Sequence, residues 1–374
     1  MSSTPTGSTP TGSTLPPVTT PTGLTPTWLT AALRAGGSIG STTTVTGAAT
    51  EPVGTGQMGE SYRVFLDYSG APGPATVVAK MPTANVASRA LVAGAYRTEV
   101  GYYRDIASTV AIRSPACSFS AINEDGTEFV LLLEDLAPAV PGDQVAGCGV
   151  RDALGAVENL AGLHGPRWGD PTVHDITGLS VIGPKGASML APAFVDATET
   201  FLTRFGSRLD DQDHALLRDV AAAIGPWITD RSARVGLMHG DYRLDNLLFL
   251  PGAPSTSSTP TVTAVDWQTL SLGLPARDLS YFLGTGLDPA LRRTHEEDLV
   301  GAYHRGLLRH GVSDYPFRQC FEDYRFGHLQ GPLIIAFGAA YGTRTGRGDD
   351  MFTAMTIRSC AAIRELDSLS LIDA

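Results

Sequence analysis

Long apolar runs are missing from this chain, and no stretch approaches the ~18 consecutive apolar residues that a membrane-spanning helix needs. No basic segment followed by an apolar core opens the sequence, so no secretory signal is expected. Cysteine is scarce: Cys117, Cys148, Cys320 and Cys360 lie far apart without a Cys-x-x-Cys pair. That argues against a disulfide framework or a cysteine-bound metal and fits a reduced, cytoplasmic protein. Basic charge is also short. Against 38 Asp and Glu stand 27 Lys and Arg, a net charge of −11, which argues against a nucleic-acid binder with its basic face. An acidic chain is compatible with a cationic ligand without requiring one.

What is present is enough for a core: 374 residues, 43% hydrophobic, one large or two modest domains. Residues 3–12 read STPTG twice, and TPTG recurs at 20–23. Such Pro/Gly/Thr-rich sequence cannot bury enough surface to offset its ordering entropy, so residues 1–24 are expected to be a disordered tail. Thr27 is the expected N-cap of a short helix, WLTAALRAG, stopped by Gly36 and Gly37. From Ser41 to Lys80 the Thr, Val, Tyr and Phe content, broken by Gly and Pro, predicts antiparallel strands. A helix is expected over 86–108 and a buried strand in EFVLLLEDL (128–136). Beyond about residue 150 the pattern is helical, apart from the short strands NLLFL (246–250) and TVTAVDW (261–267) and the polar loop PGAPSTSSTP between them. A small β-rich lobe (25–136) thus precedes a larger helical lobe (137–374), an α+β arrangement.

Gly54, Gly56 and Gly59 form a complete G-x-G-x-x-G. A dinucleotide fold needs a helix directly after these glycines, whereas ESYRVFLDY is strand-like. The glycines therefore sit in a turn between strands, as in a loop folded over nucleotide phosphates; an ordinary Gly-rich hairpin is the other reading. Lys80 ends the apolar run TVVAK, where a charge is costly without a partner or an anionic ligand. Tyr96, Glu99, Val100, Tyr103, Ile106 and Ala107 follow one helical face, which puts Glu99 inside the apolar stripe. A buried carboxylate wants a counter-charge, and Lys80 is the candidate; the alternative is that Glu99 escapes at the stripe's edge.

MHGDYRLDN (238–246) gathers Asp241 and Asn246 five residues apart, and VDWQ adds Asp266 at the end of the next strand. Phosphoryl transfer needs a group to position the attacking hydroxyl and oxygen ligands for Mg²⁺. A hairpin between Asn246 and Asp266 would bring those two side chains together.

The ordered set formed by the glycines, Lys80, Glu99, LLLEDL, LMHGDYRLDNLLF and VDWQ resembles the aminoglycoside phosphotransferase and choline kinase superfamily. HGD…DNLLF, DWQ, LPARDLSYFL and YHRGLL make it most similar to the ecdysteroid-kinase-like branch, across roughly residues 27–370. The resemblance implies a two-lobed protein-kinase-like fold: a small antiparallel sheet with one long helix, then a larger mainly helical lobe. It implies ATP, or GTP, with Mg²⁺, and a small-molecule alcohol as acceptor. Asp241 would be the catalytic residue, Asn246 and Asp266 the metal ligands, and Lys80, paired to Glu99, the contact to the α/β-phosphates. Gly54, Gly56 and Gly59 would cover the phosphates, and the backbone around Glu134 and Leu136 would meet adenine. His239 would brace the loop and Asp278 anchor it from the following helix.

Other residues take structural readings. His164 continues an apolar stripe, HEED (295–298) is an exposed helix face, Asp245 orients the loop or is solvated, and nothing near Cys148 would activate a thiol. A protein kinase is disfavoured because the motif is HGD, Trp-Gln follows the metal Asp, and only 11 residues separate Asp266 from Asp278. A nucleotide-binding pseudokinase or scaffold is the remaining alternative. For the acceptor, GRGDD (346–350) would suit a cation, and PLIIAFGAAY (332–341) a bulkier apolar alcohol such as a steroid. Neither the acceptor nor the oligomeric state follows from the sequence.

Overall fold

The computed structural model describes residues 15–54, 58–231, 234–251 and 260–372. Gly56, the first fourteen residues of the expected tail and most of the polar loop after Pro251 lie outside the described residues. Two compact units make up the chain, Met1–Arg104 with Pro115–Leu136, and Asp105–Ser114 with Ala137–Ala374.

In the first unit, helix α1 (Pro26–Ala35) is followed by β1 (Thr44–Pro52), β2 (Gly59–Ser69), β3 (Thr76–Pro82), helix α2 (Val86–Gly101), β4 (Cys117–Ile122) and β5 (Phe129–Glu134). The strands form one antiparallel sheet in the order β1-β2-β3-β5-β4. Strand parity decides which side chain meets which helix. Val77, Ala79 and Met81 of β3, with Val130 and Leu132 of β5, join the core shared with α1. Phe129, Leu131 and Leu133 turn to the other face and pack with Tyr96 and Val100 of α2. Lys80 shares parity with Val78, which puts it on the α2 side.

Three expectations change here. The cap of α1 is Thr25, not Thr27: its Oγ1 accepts from Trp28 N at 3.2 Å. Pro26 then takes the first helical position, where its missing N–H costs nothing. Residues 15–24 are not a loose tail, since Leu24 is buried, Leu15 and Val18 pack on the same core, and Trp28 Nε1 donates to Pro16 O at 3.2 Å. Three apolar anchors in ten residues are hidden when composition is averaged over the whole terminus. Finally, α2 stops at Gly101 and the chain widens into a five-residue turn over Tyr102–Ile106. The extra residue rotates the stripe, so Tyr102 takes the fully buried position that even spacing assigns to Tyr103.

The second unit contains β6 (Val140–Pro141), α3 (Val150–His164), α4 (Pro184–Phe205), α5 (Asp211–Thr229), β7 (Gly236–Met238), β8 (Leu247–Phe249), β9 (Val262–Ala264) and β10 (Ser271–Gly273). Helices α6 (Ala276–Gly286), α7 (Pro289–Arg309), α8 (Phe317–Phe326), α9 (Gln330–Tyr341) and α10 (Gly346–Glu365) complete it. The strands are short and form two small sheets, β6-β8-β9 and β7-β10. Phe194, Phe201 and Phe205 of α4 pack with Val220, Ile224 and Trp227 of α5 in a core that reaches α9 and α10. Helix α6 is buried on every side although it carries Arg277 and Asp278, two charges that are costly to bury without partners. Among the described residues, no helix is long and apolar enough to cross a membrane.

Candidate active site

Parity on β3 and the stripe on α2 meet at one ion pair in the first unit. Lys80 Nζ lies 2.6 Å from Glu99 Oε1, and the Glu99 side chain is 1% exposed. Tyr96, nearly one turn before Glu99, ties the end of the glycine turn to the same helix: its hydroxyl donates to Met58 O at 2.5 Å and accepts from Thr83 N at 3.1 Å. Gly54 stands at φ +75°, a conformation that favours glycine. Gly59 opens β2 opposite Pro82. Glu134 ends β5, exchanging two hydrogen bonds with Ala116: Glu134 N to Ala116 O at 2.8 Å and Ala116 N to Glu134 Oε2 at 3.2 Å. Leu136 closes the unit, half-buried.

In the second unit the HGD loop hangs from Asp278. The Asp278 carboxylate, fully buried on α6, accepts from His239 N at 2.6 Å and Gly240 N at 3.0 Å. His164 Nε2 lies 3.3 Å from the same carboxylate and its Nδ1 2.7 Å from the Tyr303 hydroxyl, so both histidines brace the loop. His239 does so through Val265 O at 3.1 Å. Gly240 stands at φ +81°, and a Cβ there would fall 2.4 Å from Thr269 O, so this position requires glycine.

That scaffold aims Asp241. Its Oδ1 accepts from the Tyr281 hydroxyl at 2.8 Å, and its Oδ2 from Arg243 Nε at 3.0 Å and Asn246 Nδ2 at 2.9 Å. Burial, then the charge of Asp241, pushes the Tyr281 hydroxyl well above its ordinary value, so it stays a donor. Arg243 also reaches Asp245 at 2.7 Å, and Asp245 in turn accepts from Arg347 at 2.9 and 3.0 Å and from Gln144 N at 3.0 Å. Asp245 is therefore part of a structural ion network.

Strands β8 and β9 pair antiparallel, Leu247 opposite Ala264, and Val265 N donates to Asn246 O at 3.0 Å. The two candidate metal residues thereby flank one end of the hairpin. Asp266 takes a left-handed conformation, φ 69°, rare for a non-glycine residue and least costly for Asp or Asn. Asn246 gives its amide N–H₂ to the backbone and side-chain oxygens of Asp241, both at 2.9 Å, which assigns Oδ1 as the atom left for another role. An amide oxygen beside a carboxylate is the hard donor set that suits Mg²⁺.

Tyr281, Arg243 and Tyr96 are absent from the sequence reading of the site. Tyr281 stands three residues after Asp278, on the same helical face, and Arg243 two residues after Asp241 in extended chain, so spacing held a signal for both. The acidic GRGDD segment starts α10 and is already neutralised: Asp349 pairs with Arg204, and Asp350 with Arg208 at 3.0 Å. Burial pushes the Cys148 thiol up to about 12, an unreactive state.

Residues 192–312 match the model of the Ecdysteroid kinase-like family. Among curated proteins, none matches the sequence. In structure the chain is similar to a choline kinase from Cryptosporidium parvum Iowa II, at 9% identity over 87% of this chain and 91% of that one, with a TM-score of 0.54. It is also similar to wild-type aminoglycoside 2'-phosphotransferase-IIIa, solved as its GDP complex, at 14% identity over 83% and 92% of the two chains, TM-score 0.52. At such identities the likeness is one of fold, protein-kinase-like and α+β. The family match over residues 192–312 and this likeness of fold agree with the resemblance of the ordered motifs to the aminoglycoside phosphotransferases and choline kinases.

Proposed function

We propose that this protein is a small-molecule kinase, transferring the γ-phosphate of ATP, or GTP, to a hydroxyl group. The observation that carries the reading is the setting of Asp241: three donors, Tyr281, Arg243 and Asn246, hold one carboxylate in a fixed orientation. A carboxylate held this way can orient an acceptor hydroxyl and take its proton as the oxygen attacks phosphorus. Lys80, steadied by Glu99, would meet the α/β-phosphates, and backbone N–H groups of the turn at Gly54, Gly56 and Gly59 would cover them. The chain around Glu134 and Leu136 would meet the base. Asn246 Oδ1 and Asp266 would hold Mg²⁺, which when bound neutralises phosphate charge. The structural neighbours, a choline kinase and an aminoglycoside phosphotransferase, support this reaction class.

For the acceptor, pairing of Asp349 and Asp350 with arginines weakens the case for a cationic substrate at GRGDD. One observation favours the second reading, a nucleotide-binding pseudokinase: all three donors already sit on Asp241. A panel of alcohols, amino sugars and choline, read by nucleotide consumption with Mg²⁺, separates the two. Phosphorylation of a panel member that disappears in Asp241→Asn supports the kinase. Nucleotide binding without transfer to any member supports the scaffold.

A further inference from the structure

The second unit encloses a cavity of about 380 Å³, within the ~300–1,000 Å³ typical of small-molecule sites. Its apolar wall includes Leu272, Leu274, Leu333, Ile334 and Phe337, and it touches the HGD loop at Gly240. Three charged side chains are set into this wall: Asp230, Arg231 and Arg277. Arg231 is committed to Asp323 at 2.5 Å and Glu322 at 3.1 Å.

Arg277 is different. It is 7% exposed and stacks 3.9 Å from the Trp227 ring. Its Nη2 donates to Trp227 O at 2.9 Å and Ile228 O at 3.2 Å, near the C-terminal end of α5. Among the described residues, no carboxylate reaches it within ion-pair distance, and its buried Nε–H has no acceptor. Burial lowers its pKa to about 10, partly opposed by Asp230, so the group stays cationic at neutral pH. A buried cation without a paired anion and a buried donor without an acceptor are both costly. Capping α5 employs Nη2 and leaves Nε over.

We propose that this cavity binds an apolar molecule ending in a carboxylate, the carboxylate engaging Arg277 and the apolar body lying against α9. A cation drawn to Asp230 is the competing occupant. The proposal concerns binding alone and stands whether or not phosphate is transferred.

The full chain, without nucleotide and near neutral pH, is titrated calorimetrically with decanoate, 1-decanol and decylamine. Decanoate should bind at least about tenfold more tightly than either of the others. Arg277→Met should weaken decanoate about tenfold or more and leave 1-decanol within about threefold. Because Arg277 also caps α5, that variant risks misfolding. Ile334→Trp fills the cavity without touching its charges, and should weaken decanoate and 1-decanol alike by about tenfold or more. Equal binding of the three probes by the unmodified chain, tighter binding of decylamine, or full decanoate affinity in folded Arg277→Met or in Ile334→Trp overturns the proposal.

Discussion

Arg243 Nε lies 3.0 Å from Asp241 Oδ2, and the other arm of the same guanidinium lies 2.7 Å from Asp245. One cation thus stands between two carboxylates of the HGD loop. Removing it as Arg243→Gln leaves Asp241 near a like charge without its counter-ion. The carboxylate then keeps only Tyr281 and Asn246 to fix its orientation. Loss of one charge-assisted hydrogen bond should lower kcat on a substrate found by the panel by about tenfold or more. An unchanged kcat would show that Arg243 does not act on Asp241.

Asp245 answers to pH through stability. Burial alone would raise its carboxyl, yet Arg347 and Arg243 outweigh burial and hold it below the ordinary 3.8. A depressed folded-state value means that the unfolded chain takes up the proton first. The stabilisation is complete above the unfolded value and drains away as pH falls through the folded one. Asp245→Asn should therefore have a lower Tm than the unmodified protein at neutral pH. The gap should narrow on acidification below pH ~4. A gap that is constant with pH would remove Asp245 from the ion network.

Lys80 and Glu99 should fail to behave independently. Taking the cation from a carboxylate that is 1% exposed costs about 3–5 kcal/mol, while Glu99→Gln removes the charge that needed pairing. In a double-mutant cycle by chemical denaturation, Lys80→Ala should cost much less in the Glu99→Gln background. Strict additivity would mean that the pair contributes nothing to folding.

Truncation separates two parts of the N-terminal segment. Deleting residues 1–14, which carry no apolar periodicity, should leave Tm unchanged. Deleting residues 1–24 removes Leu15, Val18 and Leu24 from the α1 core and the Trp28–Pro16 hydrogen bond. Burying aliphatic side chains of this size stabilises by about 1.5–3 kcal/mol each when complete. The longer deletion should therefore lower Tm by several degrees; equal Tm values for both would show that the segment does not pack.

The parts of the fold that were legible rest on period. Alternation on β3 and the 3.6-residue stripe on α2 each single out one misplaced charge, Lys80 and Glu99, and the two misplacements explain each other. The hairpin from Asn246 to Asp266 is legible because the apolar run NLLFL and the β-branched run TVTAV flank a polar loop. Tertiary substitutions of local rules were not legible. Tyr102 displaces Tyr103 because the chain inserts a residue into the last turn of α2, which no periodic template contains. Thr25 outcompetes Thr27 through the proline between them. The cavity around Arg277 joins α5 and α9 to the consecutive pair β10 and α6, three stretches far apart in sequence that only packing brings together.

Asp241→Asn divides enzyme from scaffold. The amide keeps the size of the side chain and can still accept from Tyr281 through its oxygen. Its N–H₂ would face Arg243 and Asn246, both donors, so the loop loses two charge-assisted hydrogen bonds and those two side chains must turn to water. The cost falls on the HGD loop and not on Lys80 or Glu99, so nucleotide binding by calorimetry without Mg²⁺ should change little, while Asn246, released from Asp241, should hold Mg²⁺ less firmly. Turnover on a substrate from the panel should fall by about 10²–10⁴, the usual contribution of a positioned general base. Tm should fall modestly, since the lost bonds are partly exposed to water. Equal turnover in the variant and the unmodified chain would place the base elsewhere, even with the fold and the nucleotide site intact.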